Sequence, residues 1–365
     1  MVVTRFLWPL ELPLAVKVVT AALVFVASQY HLWSKMSSGS IFAPEFPRTV
    51  VILFNWAFGA ILFLATQQLL LDAVVLFARM VHGGRVHAPD GVRYALAALA
   101  AVMAAIGVHR AIQVPSVKDV AFAIHGLPRQ FDGYKILQLT DLHISRLFPA
   151  LWTHAMVERA NSLGVDLIAV TGDLIDGTLA MRREDVEPLR GLSAADGVYV
   201  IPGNHEYYFG YKTWMEHYTA MGMRVLENEH VVIDRGGEKL ILAGITDGSA
   251  RVAGHPAPDL RRAIRGAPQD APIVLLDHQP KEARHAAALG VALQLSGHTH
   301  GGMVIGLDRL TARANAGYVS GRYDVDGMIL YVNNGTALWP GFALRLGRPS
   351  ELTRITLRRA NAAAQ

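Results

Sequence analysis

The chain has 365 residues, of which 52% are hydrophobic, only 18% are charged and none is cysteine. The lack of cysteine excludes disulfides, thiolate metal sites and cysteine nucleophiles, and leaves the redox compartment open. The net charge of +4 is unevenly spread: eight Lys/Arg and four Asp/Glu precede residue 115, leaving 26 of each beyond it. That neutral remainder argues against the basic face of a nucleic-acid binder, so no nucleic-acid partner is expected.

Three apolar runs open the chain, over residues 14–33, 50–78 and 94–112. Each is near or above the ~20 residues that a helix needs to cross the hydrocarbon core. Lys17 can snorkel, and Trp8, Trp33 and Tyr94 stand where interfacial aromatics anchor span ends. Asp72 lies inside the second run, but beside Gln67 and Gln68 and close to Arg79, so it reads as an end-of-span group rather than a functional carboxylate. Arg5 alone is a thin n-region and no A-x-A site follows, which favours an uncleaved anchor over a signal peptide. The loop from Arg79 to Arg93 holds three arginines, against Lys35 and Arg48 in the loop before. The positive-inside rule then puts the N-terminus in the cytoplasm and everything after Ile112 outside it, by one charge. The expected location is the cell inner membrane, with an extracytoplasmic C-terminal domain.

The composition changes at Val114-Pro115, so the expected domains are a membrane region over 1–114 with about three spans and a second domain over 115–365. Strands are expected over 118–124, 135–139, 165–170, 197–201, 230–233, 240–244, 273–276 and 291–295. Helices are expected over 150–163, 183–190, 212–221, 258–264 and 280–288. This alternation argues an α/β fold. The pair around Asp234-Arg235-Gly236-Gly237 reads as a hairpin. Late strands at 318–320, 327–332 and 352–357 suggest a second sheet, and the tail 358–365 reads as frayed.

Five of these segments share one design, a buried strand followed by polar residues able to bind metal. They are Asp141-Leu142-His143, Gly172-Asp173-Leu174-Ile175-Asp176, Gly203-Asn204-His205-Glu206, Asp277-His278 and Gly297-His298-Thr299-His300-Gly301-Gly302. Each alone could be a helix cap or a turn. Together they share one chemistry at the strand ends where α/β sheets build their sites. Neutral imidazole with carboxylate and amide oxygen suits Mn, Fe, Zn, Co or Ni, and affinity order does not select among them. The other ten histidines, such as His31, His82, His109, His125, His217 and His285, lack this context and read as surface or packing residues.

In order and surroundings these motifs resemble the calcineurin-like metallophosphoesterase family, over roughly residues 117 to 357. The preceding spans and the forms Asp-Leu-His-Ile-Ser, Gly-Asn-His-Glu-Tyr-Tyr and Gly-His-Thr-His-Gly-Gly resemble its membrane-associated bacterial branch. One departure is Met303, where that branch usually has Gln. The resemblance implies an α-β-β-α sandwich of two mixed sheets, preceded by the helical transmembrane region, and two divalent metal ions. Asp141, His143, Asp173 and His300 would hold one ion; Asp173, Asn204, His278 and His298 the other, with Asp173 bridging. Activated water would then attack a phosphate ester. His205 is expected as general acid or phosphate clamp, Asp176 as its orienting partner, and Asp277 and Asp247 as outer carboxylates. By family analogy, phosphodiester or pyrophosphate bonds are favoured over monoesters, and the tether favours a lipid-linked or cell-envelope substrate. Two alternatives remain open at this point: a lipid A precursor pyrophosphatase on the cytoplasmic face, and a non-catalytic receptor keeping the fold.

Overall fold

The computed structural model describes residues 1–84 and 86–360, so Arg85 and the last five residues of the expected frayed tail lie outside the described residues. The chain forms two compact units, Met1–Ile112 with Pro340–Leu346, and Gln113–Trp339 with Gly347–Gln365.

The helical unit begins with a π-helical turn, Val2–Leu7, whose Phe6 and Leu7 pack with Leu10 against Ala21, Leu64, Leu96 and Ala97. Next come α1 (Leu14–Ser28), α2 (Tyr30–Ser38), α3 (Arg48–His82) and α4 (Asp90–Ala111). The run 14–33 is therefore not one straight helix: α1 and α2 meet at a 53° bend. At the bend side chains take helical carbonyls: Ser28 Oγ donates to Phe25 O at 2.7 Å, and Trp33 Nε1 donates to Val26 O at 2.9 Å. Pro47 and Pro89 stand immediately before α3 and α4, and Gly83, at φ +65°, ends α3. α3 and α4 are each long and apolar enough to cross a membrane, and the bent pair would be a third crossing if it acts as one span.

The heptapeptide Pro340–Leu346 completes this unit. Pro340 O accepts from Tyr30 Oη and from Asn55 Nδ2, both at 2.8 Å. Asn55 Oδ1 takes the Ala343 N–H at 2.6 Å, and Arg345 N–H donates to Gly107 O at 3.0 Å. Leu344 fills a slot that exists because two helix positions lack side chains. A Cβ at Gly59 would stand 2.4 Å from one Leu344 carbon, and one at Gly107 would stand 2.8 Å from another.

The second unit runs β1 (Val117–Ile124), β2 (Lys135–Leu139), α5 (Ala150–Asn161), β3 (Leu167–Val170), α6 (Leu179–Val186), β4 (Val198–Val200), α7 (Asn204–Tyr208), α8 (Tyr211–Ala220) and β5 (Arg224–Val225). It continues through β6 (Glu229–Arg235), β7 (Glu238–Gly244), α9 (Leu260–Ala263), β8 (Ile273–Leu276), α10 (Ala283–Ala288), β9 (Val291–Ser296), α11 (Asp308–Ala314), β10 (Gly321–Val325), β11 (Met328–Val332) and β12 (Leu352–Arg359). Two six-stranded mixed sheets result, ordered β1-β12-β2-β3-β4-β5 and β10-β11-β9-β8-β7-β6. Period-two alternation sorts the apolar residues. Leu242, Val274, Leu276, Leu293 and Leu295 enter the core shared with Ile136, Leu167 and Ile355 of the first sheet. Their neighbours Ala243, Leu275 and Leu330 turn the other way, onto Leu260, Ala263, Ala283 and Ala286 of α9 and α10. The expected α-β-β-α sandwich is the architecture found.

Two late elements depart from expectation. Residues 352–357 were expected in the second sheet, yet β12 enters the first, parallel to β1 and antiparallel to β2. It also runs to Arg359 instead of fraying at 358, tied by Arg354 to the Asp119 carboxylate at 2.6 Å and 3.1 Å and by Arg359 N–H to Asp132 Oδ1. Residues 318–320 are not a strand; β10 starts at Gly321.

Arg345 is 1% exposed and so shielded from trypsin. Gly107→Val should force Leu344 out of its slot at an overpacking cost of about 1–3 kcal/mol. Tryptic cleavage after Arg345 in the detergent-solubilised protein should then rise at least about fivefold, because cleavage tracks the open population. An unchanged cleavage rate would show that the heptapeptide is not held there.

Candidate metal centre

The polar segments after β2, β3 and β4 in one sheet and after β8 and β9 in the other converge within the second unit. Of nine non-glycine residues with positive φ among the described residues, five belong to these loops: Asp141 (51°), His143 (42°), Asp173 (55°), His298 (68°) and His300 (51°). Left-handed backbone costs about 1–3 kcal/mol at such residues and persists where surroundings over-determine it. Here it turns consecutive side chains inward from the strand ends. The loops are also crowded: a Cβ on Gly297 would stand 2.2 Å from Thr140 Oγ1 and 2.4 Å from Asp141 Oδ2, which leaves only glycine there.

The donor atoms gather in three overlapping groups, each with atoms within 4.8 Å of one another: Asp141, His143 and His300; His143, Asp173 and His205; Asp173, His278 and His298. Asp173 Oδ2 lies 3.3 Å from His278 Nε2 and 3.9 Å from His143 Nε2, so this one carboxylate reaches both ends of the cluster. His143 and His300 face each other through their Nε2 atoms at 3.3 Å, and Asn204 Oδ1 lies 3.2 Å from His278 Nε2. All seven candidate ligands are thus brought together.

The far sides of the rings are tied back. His278 Nδ1 donates to Thr171 O at 2.7 Å, and His143 Nδ1 donates to Asp176 Oδ2 at 3.1 Å. These bonds fix each ring with its Nε2 turned inward, the atom that a metal ion would take in place of a proton. Asp176 also accepts from His205 Nδ1, so it orients two rings, one more than its expected role. Asp141 accepts from Thr140 Oγ1 at 2.9 Å and from His298 N–H at 3.0 Å, and His205 N–H donates to Asp173 Oδ1 at 2.8 Å.

Glu206 closes the Gly203-Asn204-His205-Glu206 motif and has a role the motif alone does not show. It is fully buried and accepts from the N–H groups of Asp173 (3.1 Å), Leu174 (2.8 Å) and Gly203 (2.7 Å) and from Tyr218 Oη (3.2 Å). It therefore locks the β3 loop to the β4 loop. Its sequence signal is a glutamate three residues after a glycine at a helix start, which is the capping-box spacing.

Burial drives the Asp173 carboxyl upward, but the His278 and His205 rings outweigh it and hold it well below its usual range. Burial also opposes charge on His205, yet Asp173 and Asp176 raise it to about 9. Burial, then the neighbouring His278, push His298 down to about 3. Burial opposes charge on His278 too, yet Asp173 raises it well above its usual range; the carboxylates thus draw positive charge into a desolvated cluster, with the His298 ring held neutral beside it. The donor set fits a dinuclear divalent metal site.

The two outer carboxylates act on His278 through charge. Asp277 accepts from Gln294 Nε2 and Asp247 from Gln279 Nε2 and Ser249 N–H, and no hydrogen bond of either to a candidate ligand ring is seen among the described residues. Met303 follows the glycine pair at φ +61°.

A two-sheet sandwich that delivers these donors around a shared aspartate has the make-up of a metallophosphoesterase. The family model for calcineurin-like phosphoesterases matches residues 134–302. The chain is similar to a transmembrane protein with metallophosphoesterase domain from Danio rerio, 33% identical over 271 residues, which cover 72% of this chain and 62% of that protein. It is also similar to the uncharacterized metallophosphoesterase YkuE of Bacillus subtilis, 31% identical over 242 residues, covering 64% of this chain and 82% of that protein. A solved calcineurin-like phosphoesterase, YfkN of Bacillus subtilis, aligns at 15% identity and TM-score 0.38, covering 57% of this chain and 82% of that one. The chain belongs to the calcineurin-like metallophosphoesterase family. It spans less than two thirds of the Danio rerio relative's length.

Asp176→Asn keeps the shape of the side chain but turns one of its two acceptor oxygens into an N–H donor, so only one of the two rings can still donate to it. Metal content after dialysis should fall, with affinity about 10–100-fold weaker, as read by elemental analysis; full retention would remove Asp176 from that role. Gly297→Ala should abolish stoichiometric metal binding by driving a methyl into Thr140 and Asp141, while far-UV circular dichroism changes little.

Proposed function

We infer that the chain is a membrane-tethered, binuclear-metal phosphoesterase that hydrolyses phosphodiester or pyrophosphate P–O bonds. One observation carries this reading: Asp173 joins a donor group containing His143 to another containing His278 and His298, and ring nitrogens point inward in both. Asp141, His143, Asp173 and His300 would hold one divalent ion, and Asp173, Asn204, His278 and His298 the other; Mn, Fe, Zn, Co and Ni all suit this set. When bound, such a pair polarises a phosphate and supplies a water-derived nucleophile at neutral pH.

The chain's own groups do the rest. His205 is buried at the edge of the cluster, its Nδ1 held by Asp176, its Nε2 3.9 Å from Asp173 Oδ2. That placement suits a proton delivered from Nε2 to the leaving oxygen, or a clamp on the phosphate. Asp176 keeps the ring in the required tautomer. Glu206 and the left-handed loops hold the ligands before substrate arrives, so little ordering is left for the reaction itself.

In this reading residues 1–114 anchor a catalytic domain over 115–365 in the cell inner membrane. α3, α4 and the bent α1–α2 pair as three crossings would put that domain outside the cytoplasm, and the substrate is a phosphate ester carried by a lipid or an envelope polymer.

Purified protein in detergent should hydrolyse bis(p-nitrophenyl) phosphate with added Mn and lose activity with chelator. His205→Ala should lower turnover at least ~100-fold at unchanged metal content. No turnover together with no bound metal would sink the reading. A C-terminal reporter should be active only in the extracytoplasmic compartment; activity confined to the cytoplasm would reverse the orientation.

A further inference from the structure

A second convergence of charge lies in the helical unit. Arg5, Arg79 and Arg93 line a recess of about 540 Å³ together with Asp72, Thr4 and His87. Three guanidinium groups and the Asp72 carboxylate line this recess, and Glu11 and Asp90 line the adjoining one, which shares Pro9, His87, Ala88 and Arg93. Asp72, near the end of its apolar run, is built into this recess.

The recess is organised, and its organiser is buried. Gln68 is 1% exposed, donates from Nε2 to Asp72 Oδ1 at 2.8 Å and accepts at Oε1 from Arg93 at 3.3 Å. Arg93 also donates to Arg5 O at 2.9 Å, and Arg5 Nε pairs with Asp72 Oδ2 at 3.1 Å. Arg79 is held through Nε by Val86 O at 3.0 Å. Each arginine is thus fixed at one edge of its guanidinium plane, with terminal nitrogens left over. That is the fork that recognises phosphate. Asp72 sets the geometry of Arg5 directly and, with Gln68, that of Arg93.

The surroundings say where the phosphate comes from. α3 has 35 residues, about 52 Å long, against a hydrocarbon core of ~30 Å. The end that carries Asp72 and Arg79 therefore reaches headgroup depth. Leu70, Val74 and Phe77, each 64% exposed, lie on the same stretch of α3, as acyl-chain contacts would require. Basic pockets between spans at this depth recruit anionic headgroups.

We propose that this recess binds the phosphate headgroup of an anionic lipid, with Arg5, Arg79 and Arg93 as the phosphate donors and the α3 side chains along the acyl tails. The site is separate from the metal centre and rests only on α3 and α4 being spans.

The test uses the full chain in detergent with chelator present, so that the metal centre does not consume the lipid. Native mass spectrometry would compare dioleoyl phosphatidic acid, dioleoyl phosphatidylcholine and inorganic phosphate. Phosphatidic acid should be retained and phosphatidylcholine lost. Arg79→Gln should weaken retention about fivefold, equivalent to ~1 kcal/mol for one arginine near a lipid surface. Arg93→Gln should weaken it further, and Arg110→Gln, an exposed charge at the other end of α4, should leave it unchanged. Arg79 bonds only an exposed loop carbonyl among the described residues, so its variant tests the site even if Arg93→Gln fails to fold. Inorganic phosphate that competes at equal concentration would keep the anion site and make free phosphate its ligand. Equal retention of the two lipids, or equal losses for Arg79→Gln and Arg110→Gln, would overturn the proposal. Carbonate extraction of membranes reports separately on the spans: release of the chain would remove the premise.

Discussion

A carboxylate with no access to water must have its charge met from within the protein, and Asp173 is such a group. It sits 2% exposed between two groups of imidazoles, with one oxygen taken by the His205 N–H and the other turned to His278 and His143. In a medium of low polarity an unmet charge costs several kcal/mol. The strand ends, the glycines and the supporting carboxylates together place positive or cation-binding groups around that one residue.

Holding them there has a cost that the rest of the domain carries. Five site residues adopt left-handed backbone, and Glu206 bonds three backbone N–H groups from two loops in order to keep the β3 and β4 segments in register. The packed apolar layers on both faces of the second sheet supply the rigidity that makes such loops persist. Stability is spent at the centre, where ligands must already point correctly, and recovered in the strands that carry them.

The helical unit shows the same division between apolar scaffold and few, well-fixed polar groups. Tyr30 and Asn55 sit among apolar helices, yet their polar atoms are occupied by Pro340 and Ala343 of the heptapeptide. Gln68 plays the corresponding part under the arginine recess. Buried amides and hydroxyls are tolerated where each atom has a partner, and they then specify one arrangement of the helices.

The α/β alternation, the five donor-bearing strand ends and the apolar helices were legible because each is a local pattern. A buried strand of alternating or continuous apolar residues announces itself, and so does a polar cluster at its end. The pairing of β12 between β1 and β2 was not legible, since its alternating apolar face suits either sheet and its partners lie far back along the chain. Nor was the second duty of Asp176, which depends on two rings 29 and 33 residues from it. The sequence by itself determined which atoms can bind metal and which segments can enter a membrane, because composition and spacing are properties of neighbours along the chain. Only the tertiary structure decided that Asp173 is shared between two donor groups, that Glu206 is a lock, and that Arg5, Asp72 and Arg93 form one recess. Those are properties of groups that meet only after folding.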